Sequence, residues 1–284
     1  MTTIMSIQSS VAFGHVGNSV AGFTLMRMGV ETYPVVTVHY SNTTSYGSWK
    51  GPVLSSKDVM DVVTGVDERG ALAEVDGVLS GFQGSESMGE TILSAVELIK
   101  IRNPEAIYCC DPVMGDVGRG MFVAPGIPEF LRDRVVPYAD IVTPNQYELD
   151  FLTESETTST KDLLCAVDQM ISKGPSTILV TSAIADDTPE NSISMLAATR
   201  DEAWLISTPL LDQVFTGSGD MTSAVFFAHF LESSRLDFAL EKTASVIYSV
   251  LEATVQAGRR ELALVSAQDQ IINPRHIFTA HKIR

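Results

Sequence analysis

The segment Gly217–Asp220 combines groups that could bind a phosphate and accept a proton. It reads Gly-Ser-Gly-Asp and runs directly into a helix-like stretch, Met221–Ala228. Glycines in such a turn let backbone N–H groups converge, and the dipole of the first helical turn favours an anion at the same point. Asp220 would repel that anion unless it acts as a base toward a substrate hydroxyl during phosphoryl transfer. The alternative is that Asp220 only caps the helix; in either case a helix N-terminus is expected to lower its pKa.

A second set of polar residues could hold a metal ion. Asp111 follows a short apolar run, and Asn145 and Glu148 are three residues apart on one face of a predicted helix. Together these groups could hold Mg²⁺ through water molecules, because this small cation keeps much of its hydration and bridges nucleotide phosphates. The alternative makes Asn145 a helix cap and Glu148 a surface carboxylate. The residues by themselves favour this second interpretation, because Asn is a common helix cap.

The elements that must position these groups alternate between strand and helix patterns. Short apolar runs predict strands at Ile4–Ile7, Tyr33–Val38, Gly77–Leu79, Ala106–Cys110, Asp140–Val142 and Thr177–Val180. Helices are predicted near Ser19–Met28, Lys57–Arg69, Ser87–Arg102, Pro128–Arg134, Gln146–Leu152, Lys161–Ser172, Gly219–Leu231 and Phe238–Ala257, and a hairpin near Ser192–Ser207. Such alternation predicts an α/β fold, a three-layer α/β/α arrangement around a central, mostly parallel sheet. We expect residues 1–284 to form a single domain.

Polar residues or glycines follow nearly every predicted strand. In an open parallel sheet, ligands bind beyond the carboxyl ends of the strands, so these residues should line one site. They include Ser9 and Ser10, the loop Gly14–Asn18, Asn42–Ser45, Asp111, Thr143–Asn145, and Thr181 with Ser182. The glycine-rich segment Met114–Gly120 follows Asp111 and could serve as a flexible lid that excludes water.

Composition limits the classes of partner. The net charge is −16, from 19 basic and 35 acidic residues, which argues against binding nucleic acid or an anionic membrane surface. No apolar run approaches a membrane span or a signal sequence, so a soluble, cytoplasmic protein is expected. The three cysteines are expected to be reduced, and no Cys/His spacing is typical of a zinc site.

The order of the motifs resembles the pyridoxal kinase family of the ribokinase-like superfamily. The motifs are Ile7–Ser9, Gly14–Asn18, Ser41–Thr44, Tyr46–Trp49, Cys110–Gly115, Pro144–Leu149 and Gly217–Asp220. Each is weak alone, but the resemblance keeps their order and spacing from Ile4 to about His276. It implies an ATP-dependent kinase that phosphorylates the 5′-hydroxymethyl group of pyridoxal, and also of pyridoxine and pyridoxamine, in vitamin B6 salvage.

The resemblance also implies a role for individual residues. Asp220 would be the catalytic base, and Gly217, Ser218 and Gly219 would form the anion hole. Substrate-binding positions would be Ser9, Val16, Thr44, Ser45 and Asp220. ATP-binding positions would be Asp111, Thr143, Asn145, Glu148, Thr181, Thr208, Pro209, Leu210 and Leu211, with Asp111 and Glu148 organising Mg²⁺. Family members are typically homodimers and often require a monovalent cation such as K⁺.

Two positions depart from the family pattern. Thr181 stands where related bacterial chains often carry Lys, and Phe82 stands where a Tyr often contacts the substrate. One alternative function is a hydroxymethylpyrimidine kinase of the same fold, which shares the anion hole and the base. Another is a catalytically idle protein that only binds the vitamers. Retention of Asp220 argues against an idle protein.

Overall fold

A nine-stranded sheet forms the centre of the molecule, in a computed structural model that describes all residues from 1 to 284. Its strands, in spatial order, are β11, β10, β9, β8, β7, β4, β3, β1 and β2. Their bounds are β1 Thr3–Phe13, β2 Glu31–Asn42, β3 Gly77–Ser80, β4 Ile107–Cys110, β7 Ile141–Val142, β8 Thr177–Ala183, β9 Ser192–Ala198, β10 Ala203–Pro209 and β11 His281–Lys282; β5 Gly115–Asp116 and β6 Gly120–Met121 form a separate two-stranded sheet.

Six of the nine strands are parallel. β2, β1, β3, β4, β7 and β8 pair in parallel, whereas β9, β10 and β11 are added antiparallel at one edge. The mostly parallel sheet predicted from the alternating pattern is therefore confirmed. The predicted hairpin is also confirmed, as β9 and β10 pair directly from Ala198 with Ala203.

Helices cover both faces of the sheet. They are α1 Asn18–Arg27, α2 Ser56–Asp67, α3 Glu86–Arg102, α4 Ile127–Phe130, α5 Gln146–Thr153, α6 Thr160–Lys173, α7 Ser218–Ser233, α8 Leu236–Gln256 and α9 Asp269–Ile272. Ser55, Ser85, Asn145 and Ser159 begin four of these helices by accepting a hydrogen bond from a backbone N–H with the side chain. None of the helices combines the length and the apolar character that crossing a membrane requires.

Alternate residues of the central strands enter two different hydrophobic cores. Cys110 packs with apolar residues of α2, α3, α5 and α6. Its neighbour Cys109 packs with α1, α7 and α8 on the opposite face. The same alternation separates Val78 from Leu79, because successive strand side chains point to opposite faces. This arrangement confirms the three-layer α/β/α architecture.

Two local predictions need correction. β1 extends well past Ile7, so Ser9 lies inside the strand rather than after it, at a point where β2 inserts an extra residue between the partners of Gln8 and Ser10. Such an irregularity changes the direction of nearby side chains. The segment from Met114 to Gly120, expected to be too permissive for regular structure, forms the β5–β6 hairpin.

Candidate active site

A cavity of about 200 Å³ lies at the carboxyl ends of the parallel strands. Its lining includes most of the residues that the sequence analysis singled out. These are Ser9, Val16, Thr44, Asp111, Thr143, Asn145, Glu148, Thr181, Gly217, Ser218, Gly219 and Asp220. Residues up to 211 positions apart therefore meet at one edge of the sheet, as parallel pairing requires.

The N-terminus of α7 forms one wall of this cavity. Gly217 precedes the helix with φ of +87°, and a Cβ atom there would lie 1.8 Å from the carbonyl oxygen of His15. Only glycine permits this close approach. No side chain caps the helix. Its first backbone N–H with a hydrogen bond inside the helix is that of Met221, which donates to the carbonyl oxygen of Gly217. The N–H groups of Ser218, Gly219 and Asp220 remain available for an anion.

Asp220 lies in the first turn of α7, on the wall of the cavity. Burial raises the pKa of its carboxyl group from 3.8 to about 6, and a backbone hydrogen bond from Gly17 only partly opposes the shift. The expectation that the helix N-terminus would lower this pKa is therefore wrong, because loss of hydration outweighs the helix dipole. A carboxylate with a pKa near 6 is a stronger base than an ordinary aspartate and is still mostly ionised at neutral pH.

Asp111 and Thr143 follow neighbouring strands, β4 and β7, and are joined to α7. The hydroxyl of Ser223 donates to Asp111 Oδ2 at 3.1 Å and lies 2.8 Å from the hydroxyl of Thr143. Burial raises the pKa of Asp111, and the nearby charges of Glu148 and Asp220 raise it further. With Asp116, four acidic residues thus line one small cavity, a concentration of negative charge that a bound cation would relieve.

Glu148 is buried rather than exposed at the surface. Its Oε1 accepts a hydrogen bond from the N–H of Met114 at 3.0 Å, and its Oε2 accepts one from the N–H of Asn145 at 2.9 Å. Asn145 in turn caps α5 by accepting from the N–H of Glu148 at 2.9 Å. The helix-cap interpretation of Asn145 is thus correct, whereas the interpretation of Glu148 as a surface carboxylate is wrong.

The donor set fits Mg²⁺ only if the ion brings other ligands. No three His, Cys, Asp or Glu side chains lie close enough together to hold a metal ion by themselves. Asp111 uses only Oδ2 in a hydrogen bond, whereas both oxygens of Glu148 are already engaged by backbone N–H groups. A hydrated cation that also binds phosphate oxygens is compatible with this arrangement, with Asp111 as the better placed carboxylate.

A second, larger cavity of about 730 Å³ adjoins the first. The two share Thr181, Ser218 and Gly219 in their lining, so the N-terminus of α7 lies between them. The second cavity is lined by Thr208–Leu211 at the end of β10 and by apolar residues of α8, namely Ala244, Ile247, Tyr248 and Leu251. Its size and apolar wall suit a nucleoside, with the phosphates directed toward the helix N-terminus.

One predicted residue lies elsewhere, and several lining residues were not predicted. Ser45 does not line either cavity, although its neighbour Thr44 does. The smaller cavity also contains Val38 and Tyr40, which were not predicted, and Phe82, which the family resemblance placed at a substrate-contacting position. Alternation along β2 could have identified Val38 and Tyr40, because residues two apart share a face of a strand. Ser182 lines both cavities with φ of +52°, and no sequence signal marks that conformation.

The chain is similar to a family of kinases, in agreement with the uncapped N-terminus of α7 that lies between two adjoining cavities. The model of the phosphomethylpyrimidine kinase family matches residues 73–264. The pyridoxal kinase PdxY of Leifsonia xyli subsp. xyli is 49% identical over 280 residues, covering 99% of both chains. That of Rubrobacter xylanophilus is 51% identical over 281 residues, covering 99% of this chain and 97% of the relative.

The fold agrees with these sequence relationships. The pyridoxal kinase from Leishmania donovani, solved in complex with ADP and pyridoxamine, superimposes with a TM-score of 0.93 and 26% identity over all of both chains. The chain belongs to the phosphomethylpyrimidine kinase family and, within it, to the pyridoxal kinases, which confirms the resemblance seen in its motifs.

Proposed function

We propose that this chain transfers the γ-phosphoryl group of ATP to the 5′-hydroxymethyl oxygen of pyridoxal, giving pyridoxal 5′-phosphate and ADP in vitamin B6 salvage. The observation that carries the proposal is the position of Asp220. Its carboxylate lines the smaller cavity in the first turn of α7, and the uncapped start of this helix lies between that cavity and the larger one. A hydroxyl in the first cavity and a phosphate from the second would meet at this point.

Asp220 would accept the hydroxyl proton while the oxygen attacks the γ-phosphorus and the bond to the β-phosphate oxygen breaks. The N–H groups of Ser218 and Gly219 would stabilise the charge on the phosphoryl oxygens during transfer. Because the transition state of phosphoryl transfer is loose, positioning the hydroxyl matters more than removing its proton early. A carboxylate with a pKa of about 6 is sufficient for that task.

The smaller cavity suits an aromatic ring with polar substituents. Val16, Val38 and Phe82 offer apolar surface, and Ser9 and Thr44 offer hydroxyl groups. Phe82 has no hydroxyl to donate, so it contributes only packing to the ring. We propose that Ser9, Val16 and Thr44 contact the substrate. Ser45 does not line the cavity and would act only through its neighbour Thr44.

The larger cavity is assigned to ATP, with Thr208–Leu211 against the nucleoside and Thr143, Asn145 and Thr181 toward the phosphates. Mg²⁺ would be held by Asp111, with Glu148 nearby, and would neutralise charge on the phosphate oxygens when bound. A monovalent cation such as K⁺ is proposed near the same phosphates. Two observations support both proposals. Carboxylates cluster around Asp111, and position 181 carries Thr, so no lysine there supplies positive charge to the phosphates.

The remaining assignments follow from the family. We propose a single catalytic domain that acts in the cytoplasm as a homodimer, with small-molecule substrates and neither nucleic acid nor membrane as a partner. The acidic charge of −16 supports the last point.

Phosphorylation of hydroxymethylpyrimidine is the second candidate function, because the phosphomethylpyrimidine kinase model matches this chain. That match begins at residue 73, so it omits Ser9, Val16 and Thr44, which line the substrate cavity. The pyridoxal kinases of Leifsonia xyli subsp. xyli and Rubrobacter xylanophilus match over 99% of the chain, this wall included. Pyridoxal is therefore the favoured substrate.

The test is ADP production from ATP and Mg²⁺ with pyridoxal, pyridoxine, pyridoxamine and hydroxymethylpyrimidine offered separately. Fastest turnover is expected on pyridoxal. It should be abolished in Asp220→Asn but retained in Asp201→Asn, the same substitution at an exposed aspartate between β9 and β10 that lines neither cavity. Turnover on the pyrimidine alone would favour the second candidate. Binding of pyridoxal without turnover would indicate an idle vitamer-binding protein.

A further inference from the structure

Tyr46 is held on two sides by consecutive residues from the opposite end of the sequence. Its hydroxyl donates to Glu261 Oε1 at 2.8 Å, and the guanidinium of Arg260 lies 3.8 Å from the centre of its ring. Arg260 also donates to the carbonyl oxygen of Ser45 at 3.0 Å. These contacts anchor the short turn Thr44–Tyr46, whose first residue lines the smaller cavity.

The other oxygen of Glu261 reaches a second loop of the site. Oε2 accepts a hydrogen bond from the N–H of His15 at 3.2 Å. A Cβ atom at Gly14 would lie 2.3 Å from that oxygen, and Gly14 has φ of +96°. Glycine at this position therefore makes room for the Glu261 carboxylate. One side chain thus joins two loops that are about thirty residues apart in sequence.

The same residue also borders the phosphate-binding turn and the base. The backbone of Glu261 pairs with Thr216, directly before Gly217. His15 lies two residues before Gly17, whose backbone N–H lowers the pKa of the Asp220 carboxyl group. Glu261 therefore contacts three segments of the site through Tyr46, His15 and Thr216. It does not line the smaller cavity itself.

We propose that Glu261 is a positioning residue that fixes the pyridoxal-facing turn Thr44–Tyr46 relative to Asp220. The inference rests on the proposed function in taking pyridoxal as the substrate and Asp220 as the base. Without the carboxylate, the turn would have to be ordered each time substrate binds, and that entropic cost weakens binding. The reaction step itself would change less, because Asp220 and the helix N-terminus remain.

The test compares KM and kcat in Glu261→Ala, Glu261→Gln and Tyr46→Phe. Glu261→Ala should raise the KM for pyridoxal roughly 10-fold, with a much smaller change in the KM for ATP. Glu261→Gln keeps one acceptor oxygen and should restore part of this loss. The double variant Glu261→Ala/Tyr46→Phe should be no worse than Glu261→Ala, since both changes remove the same hydrogen bond.

Glu252→Ala is the matched control. Glu252 also links distant segments, through a 2.8 Å contact with His276, but it lies outside both cavities. It should lower the melting temperature without changing the KM for pyridoxal. An unchanged KM in Glu261→Ala, additive effects in the double variant, or an equal KM change in Glu252→Ala would each overturn the proposal. If Glu261→Ala fails to fold, a normal KM in Tyr46→Phe would overturn it.

Failure of the proposed function would look different. If the wild-type chain has no kinase activity, pyridoxal affinity can be measured directly by calorimetric titration of the same variants. Weaker binding in Glu261→Ala would then support the positioning role although the proposed reaction is wrong. Near-normal turnover in Asp220→Asn would remove the base assignment and leave the predicted KM changes at Glu261 intact.

Discussion

The two cavities share a wall but are built from different parts of the chain. The smaller one collects residues at the carboxyl ends of parallel strands, such as Asp111 and Thr143. The larger one is also lined by the end of the antiparallel β9–β10 hairpin and by one face of α8, which do not line the smaller one. The first is polar and acidic, whereas the second is broad and more apolar.

Under the proposed function, this difference means that each of the two substrates is bound by a different part of the fold. The parallel strands place hydroxyls and carboxylates at fixed positions, which suits the geometry that proton transfer requires. The hairpin and α8 supply surface for binding with few directional contacts. If the division is correct, substitutions in one cavity should affect one substrate, and substitutions at the shared wall should affect both.

Asp220→Asn is expected to have the largest effect. Turnover should fall roughly 10²-fold or more, because the base is lost. The KM values for pyridoxal and ATP should stay within a few-fold of the wild type, since the isosteric side chain preserves both cavities. Steady-state kinetics with each substrate varied in turn provides the measurement, and near-normal turnover would contradict the assignment of the base.

Gly217→Ala tests the shared wall. A methyl group there would meet the His15 carbonyl oxygen at 1.8 Å, in a conformation with φ of +87°. Turnover should fall at least ~10-fold with both KM values raised, and the free energy of unfolding should drop by more than about 1 kcal/mol. Gly219→Ala is the matched control for stability, since no atom lies within 4 Å of its added Cβ. Equal unfolding free energies for the two variants would show that the close approach does not matter.

The pH dependence of activity tests the carboxylate cluster. Because Asp220 must be ionised to accept a proton and its pKa is about 6, kcat/KM for pyridoxal should fall about tenfold per pH unit below that value. A profile that stays flat to pH 5 would contradict the raised pKa. The residual activity of Asp220→Asn should not fall in this way at low pH. That result would assign the loss of activity to protonation of Asp220 rather than of Asp111 or Glu148.

The same pKa shift has a consequence for stability. The folded-state pKa of Asp220 is raised above 3.8, so its contribution to stability is fully present below pH 3.8 and is lost as pH rises through about 6. At pH 8 the ionised side chain should therefore cost on the order of 3 kcal/mol. Asp220→Asn should melt a few degrees higher than the wild type at pH 8, with a smaller difference at pH 5. Thermal unfolding at both values tests the sign, and a lower melting temperature for the variant at pH 8 would contradict it.

Leu211→Ala should have the smallest effect and should be confined to the nucleotide. Loss of apolar surface in the larger cavity should raise the KM for ATP by about three- to tenfold. The KM for pyridoxal should not change, because Leu211 does not line the smaller cavity. Ile101→Ala, at an exposed apolar residue near the end of α3, is the control. Equal changes in both KM values would show that the two cavities are not separate.

The sequence predicted the site best where strand order and local spacing decide it. Asp111, Thr143 and Asp220 could be found because each follows an apolar run or opens a helix with a distinctive turn. Ser9 was predicted to line the site because it was expected to follow β1. It does line the site, but it lies inside β1, where the pairing with β2 is irregular. Tyr248 was missed because it contributes packing surface, which no short motif marks.

The sequence by itself determined the layered α/β fold and the strand ends where ligands bind, because strand and helix periodicities are local properties. It also determined the glycine turn before Asp220. Only the tertiary structure decided the protonation behaviour of Asp220, since burial depends on what packs around it. The tertiary structure likewise decided that Glu261, 246 residues from His15, would join the loops of the site. Contacts of that separation depend on how the whole sheet assembles, and no local pattern encodes them.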